Sequence, residues 1–349
     1  MRAFFTARPH LSATPTRTLT ALGSHLGLAG LFAKDESERF GLNAFKLLGA
    51  RFAIETLVAD GALKPGATVV CASEGNHGRA VARAARDAGC AARVYMAHDA
   101  SSSRASAIAG EGAEVIRVDG SYDDAVRVLQ DEASKHGWTI VSDTAWPGYE
   151  RIPFLIMLGY TRMMDEVRDQ IRDQGSGIGD QGVDAVFVQG GVGGLLCAVA
   201  SWCAFHWPAC KVIGVEPTDA ACLQASARAG RPVAVEGQLT TTMAGLRNRE
   251  VSPSAFLALL PNVDAFMAID DVWAHDAVRA LGRPLGGDPA IAAGASGAAA
   301  LGGLLALCRN QSMQDVKQQL GINGGSRILV IVSEGVTDHE LWSTLMDVS

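Results

Sequence analysis

Short apolar segments that alternate with longer amphipathic ones constrain the fold of this chain most strongly. Between residues 67 and 142, the segments ATVVCAS, AARVYMA, AEVIRVD and TIVS have the composition of buried strands, and helix-forming segments separate them. Strands that are joined through helices pair in parallel by right-handed crossovers. The sequence therefore predicts an α/β fold with a parallel sheet in this region.

A second series of the same kind follows, with the strand-like segments VDAVFVQ, CKVIGVE, VDAFMAI and SRILVIV. Before it, residues 145–171 predict one long helix, and the polar, glycine-rich residues 172–182 predict a surface loop. We therefore expect two three-layer α/β domains with mostly parallel, twisted sheets. Residues 1–66 plus 146–349 would form the larger domain, and residues 67–145 the smaller one. Because ligands bind at the carboxyl ends of parallel strands, we expect the site in the cleft between the domains.

The composition is that of an ordinary globular protein and argues against several kinds of partner. Hydrophobic residues make up 48% and charged residues 19%, and the net charge of −7 includes no basic cluster for nucleic acid or a membrane surface. No apolar run reaches the ~18 residues of a membrane span. The seven cysteines form no C-x-x-C pair, and the histidines lack metal-ligand spacing. We expect buried thiols in a reducing cytoplasm and no metal site.

One lysine, Lys46, stands in an unusually apolar stretch, residues 42–54. Its neighbours at helical spacing offer no carboxylate: Leu42, Asn43, Gly49 and Ala50. Burial of an unpaired ammonium lowers its pKa, and neutral lysine amines form Schiff bases with carbonyl compounds. From this stretch alone, the alternative is a lysine whose stem packs while its charged head reaches water.

A glycine-rich segment follows the predicted strand that ends at Gln189. Its four glycines precede a predicted helix: Gly190, Gly191, Gly193 and Gly194. Backbone N–H groups in such a segment bind phosphate. A dinucleotide-binding loop would need G-x-G-x-x-G, but Leu196 stands at the sixth position, and the next strand ends in an acidic residue only at Glu216. The segment favours a single phosphate, with a turn that merely packs the helix as the alternative.

Polar residues follow three other predicted strands. At a helix start, Ser73, Glu74, Asn76 and His77 offer donors for a carboxylate, and Asn76 a donor for a ring oxygen, although a helix cap would explain one of them. Asp143 is either an N-cap or a catalytic carboxylate. Ser333 either hydrogen-bonds a ring nitrogen or forms a plain turn.

The order of Lys46 in NAFK, then SEGNHG, GGVGG and a late strand ending in Ser333 resembles the fold type II, tryptophan-synthase-β-like, pyridoxal-phosphate enzymes. Within that group, RFGLNAFKLLGA, DTAWPGYERIPFLIMLGY, TTMAGL and SEGVTD resemble the diaminopropionate ammonia-lyases. The resemblance covers about residues 35–340. It implies pyridoxal 5'-phosphate (PLP) as cofactor, a small amino acid as substrate, and a homodimer.

The resemblance also implies a role for each candidate residue. Lys46 would form the Schiff base with PLP, Asn76 would contact the 3-hydroxyl group of the ring, and Ser333 its pyridine nitrogen. The phosphate would be held by Gly190, Gly191, Val192, Gly193 and Gly194. The substrate carboxylate would face Ser73, Gly75 and His77. Asp143 would be the base for an L-substrate and Glu74 the base for a D-substrate.

The implied activity is α,β-elimination of a 3-substituted amino acid to an α-keto acid and ammonia. Three positions depart from the ammonia-lyase pattern and imply an altered leaving group or a larger substrate: Glu74 in place of aspartate, Asn248 within RNREVS, and Ala295 in place of glutamate. The alternative enzyme is a dehydratase of a β-hydroxy amino acid such as serine, threonine or phenylserine. A non-catalytic binding protein and a nicotinamide-dependent oxidoreductase are the remaining alternatives.

Overall fold

The structure, a computed structural model, describes residues 1–173 and 182–347. Its strands are β1 (Thr16–Thr18), β2 (Gly30–Asp35), β3 (Thr68–Ala72), β4 (Ala91–Ala97), β5 (Glu114–Val118), β6 (Thr139–Ile140), β7 (Ala185–Gln189), β8 (Lys211–Pro217), β9 (Ala265–Ile269) and β10 (Arg327–Val332). Its α-helices are α1 (Arg2–Thr6), α2 (Thr20–His25), α3 (Lys46–Ala59), α4 (Asn76–Asp87), α5 (Ser102–Gly110), α6 (Tyr122–His136), α7 (Arg151–Tyr160), α8 (Arg162–Asp173), α9 (Gly194–His206), α10 (Cys222–Ala229), α11 (Pro253–Leu259), α12 (Asp271–Gly282), α13 (Ala295–Arg309), α14 (Gln314–Gln319) and α15 (His339–Asp347). Within these residues, no helix combines the length and apolarity that crossing a membrane requires.

Contacts divide the chain into two units. The first comprises Met1–Pro9 and Lys46–Arg162, and the second His10–Phe45 and Met163–Ser349. The predicted division instead assigns residues 1–9, 46–66 and 146–162 to the larger domain, and the predicted domains stay a prediction. The predicted loop over residues 172–182 falls mostly on residues 174–181, which lie outside the described part of the chain.

The first unit contains a four-stranded parallel sheet in the order β5–β4–β3–β6. Successive residues of a strand point to opposite faces of the sheet. Tyr95 accordingly packs with Leu129 of α6 on one face. Its neighbour Val94 faces Gly78 of α4 on the other. Helices therefore cover both faces, as near-continuous apolar strands require.

The second unit contains a six-stranded sheet in the order β1–β2–β10–β7–β8–β9. All its pairs are parallel except β1 with β2 at one edge. On one face, Val215 and Val330 belong to the same core as Leu305 of α13. On the other face, Leu196 of α9 lies against Gly214 of β8. The predicted α/β fold with two mostly parallel sheets is confirmed.

The single long helix predicted over residues 145–171 is wrong. The segment holds two helices, α7 and α8, which meet at Thr161. Residues 146–149 form a tight turn, in which the N–H of Tyr149 donates to the carbonyl of Trp146 over 2.8 Å. Gly148 adopts φ +85° there, a conformation that helices do not contain. The Pro-Gly pair thus delays the start of α7 to Arg151.

Candidate active site

Lys46 is the first residue of α3, and its amine has a carboxylate partner. Nζ lies 2.5 Å from Oδ2 of Asp143, and the two side chains are 23% and 18% exposed. The expectation of a lysine without a partner is therefore wrong. Helical spacing predicted only the local neighbours, whereas Asp143 follows β6 and lies 97 positions further along the chain.

The ionisation of Asp143 depends on this pairing. Burial by itself would raise the pKa of Asp143, but the Lys46 ammonium and His77 outweigh burial and hold that pKa well below its ordinary value of 3.8. Asp143 is thus a carboxylate near neutral pH while Lys46 is charged. If the charge on Lys46 were removed, the main contribution that lowers the pKa of Asp143 would be lost, and Asp143 would become a stronger base.

His77 is buried beside the same carboxylate. Its Nε2 lies 2.9 Å from the carbonyl oxygen of Val141, and its Nδ1 lies 3.8 Å from Oδ2 of Asp143. A carbonyl can only accept, so Nε2 carries the hydrogen of the neutral ring. Nδ1, which has no hydrogen-bond partner among the described residues, is then the ring nitrogen with the lone pair.

Two tyrosines fix the surroundings of the pair. The fully buried ring of Tyr160 has its centroid 5.9 Å from Lys46 Nζ, and burial raises the pKa of its phenol, which stays neutral. The hydroxyl of Tyr149 donates to the Ile140 carbonyl over 2.8 Å and accepts the Ser142 N–H over 2.9 Å. This second tyrosine therefore holds the backbone immediately before Asp143.

The SEGNH segment precedes and begins α4. Ser73 Oγ accepts the N–H groups of Gly75 and Gly78, over 3.2 Å and 2.9 Å, so this serine satisfies two N–H groups at the start of α4, although the N-cap residue itself is Gly75. Glu74 is half-buried, and within the described ranges no basic side chain forms an ion pair with it. Asn76 begins the helix. The substrate and cofactor roles of these residues stay predictions.

The glycine-rich segment lies in the second unit between β7 and α9. A Cβ at Gly190 would meet the end of the Leu223 side chain and one at Gly191 the end of the Asn248 side chain, so a larger residue at either position would have to displace its neighbour. Gly193 has φ +97°, and α9 begins at the next residue without a side-chain cap. Its first N–H groups therefore face outward from a thirteen-residue helix, which suits an anion.

Glu216, the acidic residue considered for a dinucleotide motif, has a structural role. Its carboxylate accepts the N–H groups of Leu223 and Gln224, each over 2.8 Å, at the start of α10. Burial raises its pKa to about 7. Because both oxygens already bond to this helix, the residue does not serve the ribose contact that a dinucleotide site needs.

Ser333 follows the last residue of β10 and is buried. Its carbonyl accepts the N–H of Phe45 over 3.1 Å, and its hydroxyl oxygen accepts a hydrogen bond from Nε2 of Gln189. The carbonyl of Asn43 likewise accepts the N–H of Gly335 over 2.8 Å. The residues that precede Lys46 in the sequence are therefore tied to the segment that carries Ser333.

Sequence reasoning missed three residues around Ser333 and the glycine-rich segment. Gln189 was noted only as the end of a strand. Ser296 Oγ accepts the N–H of Gly245 over 2.9 Å, and a Cβ at Gly297 would collide with the backbone of Glu334. Both residues directly follow Ala295, so the departure at Ala295 was the available signal for them. No cluster of His, Cys, Asp and Glu in the described ranges is arranged to hold a metal ion.

Comparison with known proteins places this chain in a large enzyme family. Residues 7–334 match the family described as pyridoxal-phosphate dependent enzyme. Diaminopropionate ammonia-lyase of Escherichia coli strain K12 is 38% identical over 342 residues, which cover 93% of this chain and 85% of that enzyme. L-threo-3-hydroxyaspartate ammonia-lyase of Saccharomyces cerevisiae is 28% identical over 264 residues, covering 76% of this chain and 74% of that enzyme.

A solved structure supports membership of the same family. The crystal structure of Escherichia coli diaminopropionate ammonia lyase, in complex with an aminoacrylate-PLP azomethine reaction intermediate, matches with a TM-score of 0.90 and 35% identity. The match covers 99% of this chain and 90% of that one. The predicted fold type II family and its cofactor, PLP, are confirmed. The chain belongs to the pyridoxal-phosphate dependent enzymes.

Proposed function

We propose that this chain is a carbon–nitrogen lyase that eliminates the β-amino group of 2,3-diaminopropionate and releases pyruvate and ammonia. The observation that carries the proposal is the pairing of a lysine amine with a carboxylate, Lys46 Nζ to Asp143 Oδ2, over 2.5 Å. The 38% identity to diaminopropionate ammonia-lyase supports the choice of substrate.

The side chains present fit PLP. Lys46 provides a primary amine for its aldehyde carbon, and the uncapped start of α9 suits its phosphate, held by Gly190, Gly191, Val192, Gly193 and Gly194. No described residue accepts a hydrogen bond from the hydroxyl of Ser333, which suits a ring nitrogen. The amide of Asn76 would serve the 3-hydroxyl group. These assignments are part of the proposal.

The protein groups then have distinct tasks. When bound, the cofactor supplies an electron sink for the α-carbon of the substrate. Lys46 anchors the cofactor covalently through its amine, and Asp143 Oδ2 accepts the α-proton of an L-substrate. The basicity of Asp143 rises when Lys46 is no longer an ammonium ion, because the main contribution that lowers the pKa of Asp143 is then lost. Glu74, in the SEGNH segment, would accept the α-proton of a D-substrate.

The substrate carboxylate is assigned to the SEGNH segment. A Cβ added at Gly75 would meet no atom within 4 Å, so the segment leaves open space beside its backbone N–H. Ser73 and His77 flank this position and are buried. We assign Ser73, Gly75 and His77 to the substrate carboxylate on these grounds.

A dehydratase of a β-hydroxy amino acid is the second candidate. The similarity to L-threo-3-hydroxyaspartate ammonia-lyase favours it, as do the departures from the ammonia-lyase pattern at Glu74, Asn248 and Ala295. Asn248 lies directly against Gly191, so this departure touches the proposed phosphate segment. The two reactions differ in stoichiometry. Diaminopropionate plus water yields one pyruvate and two ammonia molecules, whereas a β-hydroxy amino acid yields one ammonia for each keto acid.

The test is a product assay on the protein purified with PLP. L- and D-diaminopropionate, serine, threonine and phenylserine are supplied separately, and keto acid and ammonia are both quantified. The proposal predicts pyruvate from diaminopropionate with twice as much ammonia. Keto acid from a β-hydroxy amino acid alone would replace the proposal with the dehydratase.

The assembly and location are also proposed, as a homodimer in a reducing cytoplasm. The seven cysteines are all free thiols in the structure, which is the state that a reducing compartment maintains. Light scattering on the eluted protein measures its mass, and a monomer at assay concentration would contradict the homodimer.

A further inference from the structure

Gln189 lies at the end of β7, between the start of α13 and the end of β10. Its side chain is almost completely buried, with 2% exposed. Nε2 lies 3.3 Å from the carbonyl oxygen of Gly297 and also donates to Oγ of Ser333. Both hydrogens of the amide nitrogen therefore have acceptors on neighbouring elements.

The orientation of this amide follows from the chemistry of its neighbours. The carbonyl of Gly297 can only accept, so a flipped amide would set two oxygens against each other. The observed orientation leaves Gln189 Oε1 buried with no hydrogen-bond partner in the described part of the chain. A buried acceptor without a partner costs free energy, and this orientation accepts that cost. The two hydrogen bonds that Nε2 donates therefore set the orientation of the amide, and Oε1 does not.

This orientation limits what the Ser333 hydroxyl can do. A hydroxyl has one hydrogen to donate and two lone pairs that accept, and the Gln189 hydrogen bond occupies one of these lone pairs. The hydrogen of Ser333 must point away from Gln189, and no described residue accepts it. Ser333 is therefore prepared as a donor to a group that the protein itself does not supply.

We infer that Gln189 is a positioning residue that directs the hydrogen of Ser333 away from itself and so favours a cofactor ring nitrogen that carries no proton. An unprotonated ring nitrogen accepts that hydrogen, whereas a protonated one would donate to the second lone pair of Ser333 and leave the Ser333 hydrogen without an acceptor among the described residues. The inference rests on the proposed contact between Ser333 and the ring nitrogen.

The test is ¹⁵N NMR of the protein loaded with PLP that is labelled at the ring nitrogen. The chemical shift reports the protonation of that nitrogen directly and does not depend on turnover. We expect the unprotonated shift in the wild type. In Gln189→Glu, an oxygen replaces the nitrogen and accepts the Ser333 hydrogen, so the lone pair of Ser333 faces the ring. We expect the shift to move toward the protonated value.

A second measurement, of PLP affinity, tests the inference even if the charged variant Gln189→Glu does not fold. Gln189→Leu removes the donor without adding charge, and loss of one ordered hydrogen bond should weaken PLP binding by about three- to tenfold. Gln189→Leu in a Ser333→Ala background should change PLP binding little, because the hydroxyl that Gln189 positions is then absent. Gln224→Leu is the matched control: its Nε2 donates only to the Phe266 carbonyl, and we expect wild-type PLP binding and ¹⁵N shift.

The outcomes separate this inference from the proposed function. An unchanged ¹⁵N shift in folded, PLP-loaded Gln189→Glu overturns the inference, as does an equal loss of PLP affinity with and without Ser333. An unchanged ¹⁵N shift in Ser333→Ala shows that Ser333 does not contact the ring nitrogen. That result removes the premise of the inference and overturns the inference as well. Failure of diaminopropionate to give pyruvate would reject the proposed substrate and leave the NMR result intact.

Discussion

At the scale of single residues, the charge on Lys46 controls the chemistry of Asp143. The two groups lie 2.5 Å apart, and the pKa of Asp143 is set by the balance of burial against the lysine ammonium. A carboxylate in this position is a weak base beside an ammonium and a stronger one beside a neutral amine. Loss of the positive charge on Lys46 would therefore raise the pKa of Asp143, as its proposed role as a base requires.

Replacing Asp143 by Asn tests its assignment as the base for the L-isomer. Loss of a general base lowers the rate by about 10²–10⁴-fold. We expect this loss with L-diaminopropionate and a much smaller one with the D-isomer, and the reverse for Glu74→Gln. Asp131→Asn, on the exposed face of α6, is the matched control. Equal losses with both isomers in Asp143→Asn would contradict separate bases.

The sequence predicted Lys46 as the reactive amine but not its surroundings. The apolar neighbours of Lys46 are local, and helical periodicity exposes them. Asp143 and His77 approach through the ends of different elements, and a spacing rule along one helix carries no information about them. The role of Gln189 is not predictable from the sequence for the same reason. Its contacts to Gly297 and Ser333 span 108 and 144 positions of the chain.

At the scale of elements, two glycines bring α3 and α7 unusually close together. A Cβ at Gly159 would lie 2.6 Å from the Leu48 carbonyl oxygen, and one at Gly49 would lie 2.7 Å from that of Ile156. The first residue of α3 is Lys46, so this helix crossing determines where the amine-bearing end of α3 rests within its unit. The backbones of the two helices touch at these glycines, and a helix backbone cannot move aside as a flexible side chain can.

Gly159→Ala should therefore destabilise the protein. Overpacking of a tight contact costs about 1–3 kcal/mol of the free energy of unfolding. Chemical denaturation measures the loss. Gly110→Ala is the control, since a Cβ at this α5 position meets nothing within 4 Å, and we expect little change. Equal stability of the two variants would show that the helices separate without cost.

The cap of α10 predicts a pH dependence. Burial raises the pKa of Glu216 from 4.5 to about 7. Between these pH values the folded protein keeps a proton that the unfolded chain loses, so the contribution of Glu216 to stability is greatest at low pH and declines as pH rises. In Glu216→Gln this decline is absent, and its stability relative to the wild type should rise across the window.

Denaturation of wild type and Glu216→Gln at several pH values measures that difference. Glu114→Gln controls for a surface carboxylate, since Glu114 is 56% exposed in its pair with Arg93. A wild-type-to-variant difference that does not change with pH would contradict the raised pKa of Glu216.

The elements show which patterns are readable from sequence. Short apolar runs predicted the strands β3 to β10, because buried parallel strands need such runs. Strand β2 was missed because it ends in Lys34 and Asp35, which do not match that composition. The sequence of α7 and α8 was continuous enough to predict one helix, and only the turn at Gly148 reveals the true start.

At the scale of the whole molecule, a buried group of four charges joins the larger sheet to a helix that follows much later in the sequence. Lys34 Nζ lies 2.6 Å from Glu166, and Arg39 pairs with both Glu166 and Glu36 over 2.6 Å. All four side chains are essentially inaccessible to solvent. The group links β2 to α8, 132 positions along the chain, and its charges balance.

Glu166→Gln would leave two buried cations with one carboxylate. Breaking a buried ion pair by removing one partner costs about 3–5 kcal/mol of the free energy of unfolding. Urea denaturation measures it, and Glu114→Gln, whose surface ion pair is worth at most about 1 kcal/mol, provides the comparison. A loss no larger than that of the surface variant would show that the group contributes nothing to stability.

The central claim is that Lys46 anchors PLP in an enzyme that eliminates ammonia from diaminopropionate. The most direct measurement compares the wild type with Lys46→Ala for pyruvate and ammonia released from L-diaminopropionate, with exposed Lys64→Ala as the control. We predict twice as much ammonia as pyruvate from the wild type and the control, and neither product above background from Lys46→Ala. Wild-type product yields from Lys46→Ala, or no pyruvate from any of the three proteins, would contradict the claim.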